Sequence, residues 1–254
     1  MKRNTLYLST IDPQAHDLAR QWGLGLEIAE FCTAWNLDDE FPQTDRKVRR
    51  QLQGISRAVL HGPYNELFPC AIDRRARALA ADRYLQAIET ALRYGIHKLV
   101  IHAGFDPYLY FSQWFIPQSV LFFRDFLKDV PGDVELCLEN VLEPQPSYLT
   151  QIIRQVDDPR LRMCLDVGHA QAYSEISPVD WVLEAQDCLS HFHIHTNNGL
   201  QDQHGPLFQG VIPMEALLQQ IALRCPQASV TLELPQAESS LVWLQEKKIL
   251  EEEP

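Results

Sequence analysis

Eight short β-branched and apolar runs, spaced through 254 residues and separated by longer amphipathic stretches, constrain this chain more than any other feature. The runs are "TLYLST", "LEIAEFC", "RAVLHGPY", "KLVIHAGF", "VELCLENV", "LRMCLDVGHA", "HFHIHTN" and "SVTLELP". Short apolar runs of this kind suit strands covered on both faces, whereas an amphipathic helix repeats its apolar residues about every three to four positions. The helical repeat shows in "RRARALAADRYLQAIETALRYG", "SYLTQIIRQVDDP", "SPVDWVLEAQDCL", "PMEALLQQIALRC" and "ESSLVWLQEKKIL". No Gly/Ser/Pro linker or low-complexity block interrupts the alternation, which predicts one α/β domain over residues 1–254. Eight strand–helix units in a chain near ~250 residues predict a single (β/α)8 TIM barrel. A doubly wound open sheet is the competing arrangement. No glycine-rich phosphate loop follows its first strand, so nothing supports a nucleotide-binding form.

Net charge narrows the partners. At −12 the chain lacks the clustered Lys and Arg needed to neutralise a polyanion over a broad surface. No apolar run approaches the roughly 20 residues of a membrane span, and "MKRNTLYLST" has a basic start without an apolar continuation. Cys32, Cys70, Cys137, Cys164, Cys188 and Cys225 are scattered, and several fall in apolar runs, which predicts reduced core thiols. Together these features predict a cytoplasmic protein.

In a barrel strand alternate residues face the interior, and the loops after the strands build the site. Parity gives inward sets Val59/His61, Val100/His102, Cys137/Glu139, Cys164/Asp166, His191/His193 and Thr231/Glu233. Leu60, Ile101, Leu136, Leu138, Met163, Leu165, Phe192, Ile194, Val230 and Leu232 then face the helices. Six consecutive strands thus end in an inward His, Asp or Glu. Crowding Glu139, Asp166 and Glu233 in one mouth should make them repel one another and resist ionisation. A bound divalent cation removes that conflict, and mixed histidine and carboxylate donors suit a transition metal. His195 lies one step further out on the same parity. Asp202 and His204 follow on the next loop, with His169 of "DVGH" as a third partner. Ordinary turn chemistry is the competing reading of "DQH". Glu27, inward on the second strand, reads as a polar wall residue or a buried hydrogen-bonded acid.

Taken in order, "HGPY", "VIHAGF", "LCLENV", "MCLDVGHA", "HIHTNNG", "DQH" and "LELP" resemble the xylose isomerase-like TIM barrels, a superfamily of sugar isomerases and epimerases that also includes endonuclease IV. The resemblance implies a metal, zinc or manganese, held by Glu139, Asp166, His193 and Glu233. It also implies that Glu139 and Glu233 exchange the substrate proton while His169 and His195 order substrate oxygens. The endonuclease branch adds His61 and His102, and a third site at His169, Asp202 and His204, for up to three ions.

The mouth loops decide between the branches. "CTAWNLDDEFPQTD", "ENVLEPQPS", "HAQAYSEISP", "HTNNGLQDQHGPLFQG" and "ELPQAESS" carry no Lys or Arg, and only Arg74 and Arg75 follow "HGPYNELFPCAID". Such loops cannot hold a duplex by its phosphates, although an acidic solvated rim would read the same way. The expected function is therefore a metal-dependent isomerase or epimerase acting on a small sugar or polyol-like hydroxy-ketone through an enediolate. The alternative is an endonuclease IV-like trinuclear zinc phosphodiesterase, and a third reading is a barrel that binds without catalysing. Tyr64 and Trp114 are the aromatic residues expected to meet substrate. The rest of "HAGFDPYLYFSQWF" reads equally as a small core or a subunit contact.

Overall fold

A computed structural model of the chain describes residues 2–250. A 3-10 turn at Arg3–Thr5 enters β1 (Leu6–Ser9), followed by α1 (Ala15–Trp22). Next come β2 (Gly25–Ile28) with α2 (Ala34–Leu37) and α3 (Phe41–Gln51), β3 (Ala58–His61) with α4 (Arg74–Leu92), and β4 (Lys98–His102) with α5 (Ser112–Phe126). The second half runs β5 (Glu135–Glu139), α6 (Ser147–Val156), β6 (Leu161–Asp166), α7 (Val167–Tyr173) and α8 (Pro178–Ala185). It ends with β7 (Leu189–Ile194), α9 (Met214–Arg224), β8 (Ser229–Leu232) and α10 (Glu238–Glu246). Each strand pairs in parallel with its successor and β8 returns to β1, closing a single (β/α)8 barrel. All eight strand runs read from the sequence are strands of this barrel.

Two stretches not read as helical contain helix. "CTAWNLDDEFPQTD" holds α2 and the start of α3, and the aromatic stretch after β4 leads into α5. Their signals are weak for different reasons. α3 buries only Thr44 and Val48 and so shows no apolar stripe. α5 is apolar on several faces and carries Pro117, which reads as a break.

Strand parity sorts the core as expected. Leu60, Ile101, Leu136, Leu138, Met163, Leu165, Phe192, Ile194, Val230 and Leu232 are buried among the helices. Losing one of the large ones, as in Phe192→Ala, would cost roughly 3–5 kcal/mol. Inside the barrel, Val59, Val100, Cys137 and Cys164 form a separate apolar plug packed by Tyr7. Tyr7 crosses the space a side chain would take at Gly25, whose added Cβ would lie 2.3 Å from the ring. The β6–β7 register jumps from Met163↔Leu189 to Cys164↔His191, leaving Ser190 as the extra residue of a bulge. Ser190 thereby reaches Lys98 and Glu135.

All six cysteines are unpaired, and all but Cys32 are buried. Among the described residues no helix is long and apolar enough to cross a membrane.

Candidate metal centre

Parallel strands in a closed barrel deliver their C-terminal residues to one rim. Glu139 ends β5, Asp166 ends β6, His193 lies near the end of β7, and Glu233 directly follows β8. One donor atom from each of the four lies within 4.8 Å of the others. His193 Nδ1 is 3.1 Å from Glu139 Oε1, 3.2 Å from Glu233 Oε2 and 3.8 Å from Asp166 Oδ2. Asp166 is fixed twice. Its Oδ1 caps α7 by accepting the His169 backbone N–H at 2.7 Å, and its own backbone is clamped by the buried Asn140 amide.

Three further histidines aim Nε2 at these carboxylates because a backbone carbonyl takes Nδ1–H. His61 Nδ1 donates to Gly62 O, His169 Nδ1 to Asn140 O and His204 Nδ1 to Glu233 O, all at 2.8–2.9 Å. His61 Nε2 then faces Glu139 Oε2 at 3.1 Å, and His102 Nε2 meets the same oxygen at 3.2 Å. His169 Nε2 and His204 Nε2 converge on Asp202 Oδ2 at 3.3 and 2.9 Å. An antiparallel bridge between Thr196 and Gly205 pins the loop that carries Asp202 and His204. All nine residues of the expected ligand set thus meet in one layer. Within it His204 also stacks on His195 at 4.0 Å and forms a compact donor group with His195 and Glu233.

His195 Nε2 contacts both oxygens of Asp166 at 3.1 Å, while its buried Nδ1 has no hydrogen-bond partner among the described residues. Gly168 makes room for that ring, since a Cβ there would fall 1.9 Å from His195 Cε1. Tyr64 stands at the rim with its ring stacked on His102 at 4.4 Å. Trp114 is placed differently. It lies on α5 with its indole N–H donated to Cys70 O, and among the described residues no hydrogen bond, ion pair or ring contact joins it to the histidine–carboxylate layer.

The expectation that crowded carboxylates resist ionisation is corrected by the histidines between them. Burial acts to raise Glu139, yet His193 and His102 outweigh it and hold the carboxyl well below its usual range. Asp166, equally buried, is pulled down to about 2 by His169 and His195. The imidazoles move the other way. Burial disfavours charged His193, but Cys164, Glu27, Glu233 and Glu139 raise it well above 6.5. His204 is also opposed by burial, and Asp202 with Glu233 lifts it to about 9. Counting carboxylates alone missed this alternation of sign.

The donor chemistry fits a divalent cation. Donor atoms arranged tetrahedrally at ~2.1 Å around an ion stand about 3.4 Å apart, and His193 Nδ1 lies 3.1–3.8 Å from the three carboxylates. Glu139, Asp166, His193 and Glu233 would hold one ion, with His61 and His102 reaching a second through Glu139 Oε2. Among the described residues no Lys or Arg ion pair reaches Glu139, Asp166, Asp202 or Glu233.

Sequence parity left two readings of Glu27 open, and it missed Glu143. Glu27, at the level below the layer, accepts from His193, His191 and Thr231. Glu143 is 2% exposed behind the β5 end, where the Val141 N–H donates to it. Its inward parity on β2 marked Glu27 as a polar wall residue or a buried hydrogen-bonded acid, and it is such an acid, whereas nothing local marks Glu143.

Comparison with known proteins agrees with this architecture. A crystal structure of a D-tagatose 3-epimerase-like protein superposes with TM-score 0.77 at 19% identity, covering 96% of both chains. The TTHB071 protein from Thermus thermophilus, soaked with ZnCl2, gives TM-score 0.72 at 24% identity over 95% of this chain and 97% of that one. By sequence, the uncharacterized protein MJ1311 of Methanocaldococcus jannaschii is 27% identical over 179 residues, 64% of this chain. The chain spans only 59% and 61% of the lengths of the two curated relatives it matches. Residues 17–253 match the family described as xylose isomerase-like TIM barrel, and the chain belongs to that family.

Proposed function

We propose that this chain is a divalent-metal-dependent isomerase or epimerase of a small sugar or polyol-like hydroxy-ketone. The observation that carries the reading is the convergence of Glu139, Asp166, His193 and Glu233 from four consecutive strands on one buried point. A zinc or manganese ion there would polarise a carbonyl and favour charge developing on adjacent oxygens. Glu139 and Glu233 face this point from different strands, so one could take a proton next to that carbonyl and the other exchange one on the opposite face. His169 and His195 order substrate oxygens, and Tyr64 offers an apolar face at the rim. The similar D-tagatose 3-epimerase-like structure supports a sugar as substrate class. Buried unpaired thiols support a cytoplasmic setting.

The test is proton exchange. Protein reconstituted with zinc or manganese and offered a panel of ketoses in deuterated water should place deuterium beside the carbonyl, and Glu139→Gln should abolish it. Metal uptake without labelling of any ketose overturns the enzyme reading in favour of a binding barrel.

One observation favours the endonuclease-like alternative: His61 and His102 share Glu139 Oε2, as a second ion would require. Against it, a duplex needs many cationic contacts, whereas the mouth loops lead only to Arg74 and Arg75, and losing about six to ten such contacts removes most of a nuclease's affinity. Zinc-loaded protein should leave an abasic duplex uncut at roughly 0.15 M salt. Rapid incision that disappears in Glu139→Ala would reverse the order of the two readings.

A further inference from the structure

His193 is held differently from its neighbours. His61, His169 and His204 each give Nδ1–H to a backbone carbonyl and aim Nε2 at a carboxylate. His193 is turned over, with Nδ1 toward Glu139 and Glu233 and Nε2 pointing down the barrel to Glu27 Oε1 at 2.8 Å. A carboxylate only accepts, so that contact requires the hydrogen to sit on Nε2.

Glu27 is itself locked. It is 1% exposed, and its second oxygen accepts from the Thr231 hydroxyl and from His191 Nε2 at 2.9 Å. The carboxylate only accepts, so His191 carries a proton on Nε2. On the barrel floor the Lys98 ammonium donates to Ser229 Oγ at 3.1 Å, and that oxygen lies 2.6 Å from His191 Nδ1 and 3.3 Å from Ser190 O. Glu27 thus accepts from His191, Thr231 and His193.

We infer that Glu27 is the positioning residue of the centre: by accepting from His193 Nε2–H it fixes the tautomer and ring orientation that leave the Nδ1 lone pair for a metal ion. The inference rests on His193 being a metal ligand, as proposed above. Its physical basis is general, since a metal-bound imidazole that donates its other N–H to a carboxylate is both oriented and made more basic. No backbone carbonyl does this for His193, and Glu27 takes that place.

The experiment uses the whole chain and zinc alone. Nitrogen-15 NMR of zinc-loaded wild type should show His193 with hydrogen on Nε2 and the metal on Nδ1. Chelator competition should show zinc about 10- to 100-fold weaker in Glu27→Ala. In Glu27→Gln the remaining oxygen can still accept one N–H, so its loss should be smaller and the His193 tautomer should persist. Circular dichroism in chelator establishes that each variant is folded, and the wild-type NMR result stands even if Glu27→Ala is not. Zinc on Nε2 of His193, or folded variants that bind zinc as tightly as wild type, overturns the inference. A wild type that takes up no zinc or manganese brings down the metal reading itself, a different and separately visible failure.

Discussion

Replacing Glu143 by Gln should stabilise the protein at alkaline pH and leave it nearly unchanged in mild acid. The side chain is 2% exposed, with the Val141 N–H donating to one oxygen at 2.7 Å. Burial pushes its carboxyl up from 4.5 to about 7, against backbone hydrogen bonds and the charge of His169 that favour ionisation. A raised carboxyl favours the protonated fold, so its contribution is complete below about 4.5 and is lost as pH climbs to about 7. At roughly 1.4 kcal/mol for each pH unit between those values, ionised Glu143 costs about 3 kcal/mol by pH 8. Glutamine keeps the shape and an oxygen for Val141 but has nothing to ionise. The variant should match wild type near pH 4.5 and exceed it by about 3 kcal/mol at pH 8, or roughly 6–12 °C in melting temperature. Urea denaturation of both proteins in chelator across that range is the assay, because titrating groups that do not interact with Glu143 cancel in the difference. Parallel stability curves, or a variant weaker at pH 8, would refute the argument from burial.

Three other outcomes follow from the same geometry. Gly168→Ala would drive a methyl into the His195 ring and should cost roughly 1–3 kcal/mol by denaturation, with weaker zinc retention as His195 leaves Asp166. Metal-free protein should weaken from about pH 6.5 to 9. His204 is raised to about 9, so its contribution is full below its unfolded value and disappears as pH passes the folded one; melting curves in chelator that stay flat over this interval would count against it. Glu139→Ala and Asp166→Ala should each lower bound zinc in elemental analysis and remove the melting-temperature gain that zinc gives wild type, whereas a wild type that retains no metal after reconstitution would refute the site.

The barrel was legible because its strands are short runs rich in apolar residues and strand parity has a period of two. That parity also placed His61, His102, Glu139, Asp166 and His193 on the interior and aligned them at one rim. What it could not provide is distance across the barrel. Glu27 lies five strands before β7 in chain order but three from it around the closed sheet, so its bond to His193 exists only after closure. Asp202 and His204 are positioned by a loop bridge between Thr196 and Gly205, which no periodicity reports. Trp114 reads from the sequence as an aromatic expected to meet substrate; in the fold it lies on α5, a helix whose signal Pro117 weakens, and donates its N–H to Cys70 O. α3 stayed hidden because two buried residues make no stripe.

The alternation of histidine and carboxylate also bears on whether the centre needs its metal to form. In the metal-free fold, charged His193 and His169 compensate Glu139 and Asp166, so the donors are held in place by hydrogen bonds rather than forced apart. A cation entering here replaces protons already present and meets ligands fixed by Asn140, Gly62 and Glu27. Little chain has to be ordered on binding, so affinity reflects the exchange of protons for metal and should strengthen as pH rises. The same exchange separates this barrel from small domains that are unfolded without zinc: its apolar core is complete around the strands whether or not an ion is bound. Removing the metal should therefore lower stability while leaving the circular dichroism spectrum of the fold intact. Loss of secondary structure in chelator at pH 7 would show that the histidine protons do not substitute for the ion.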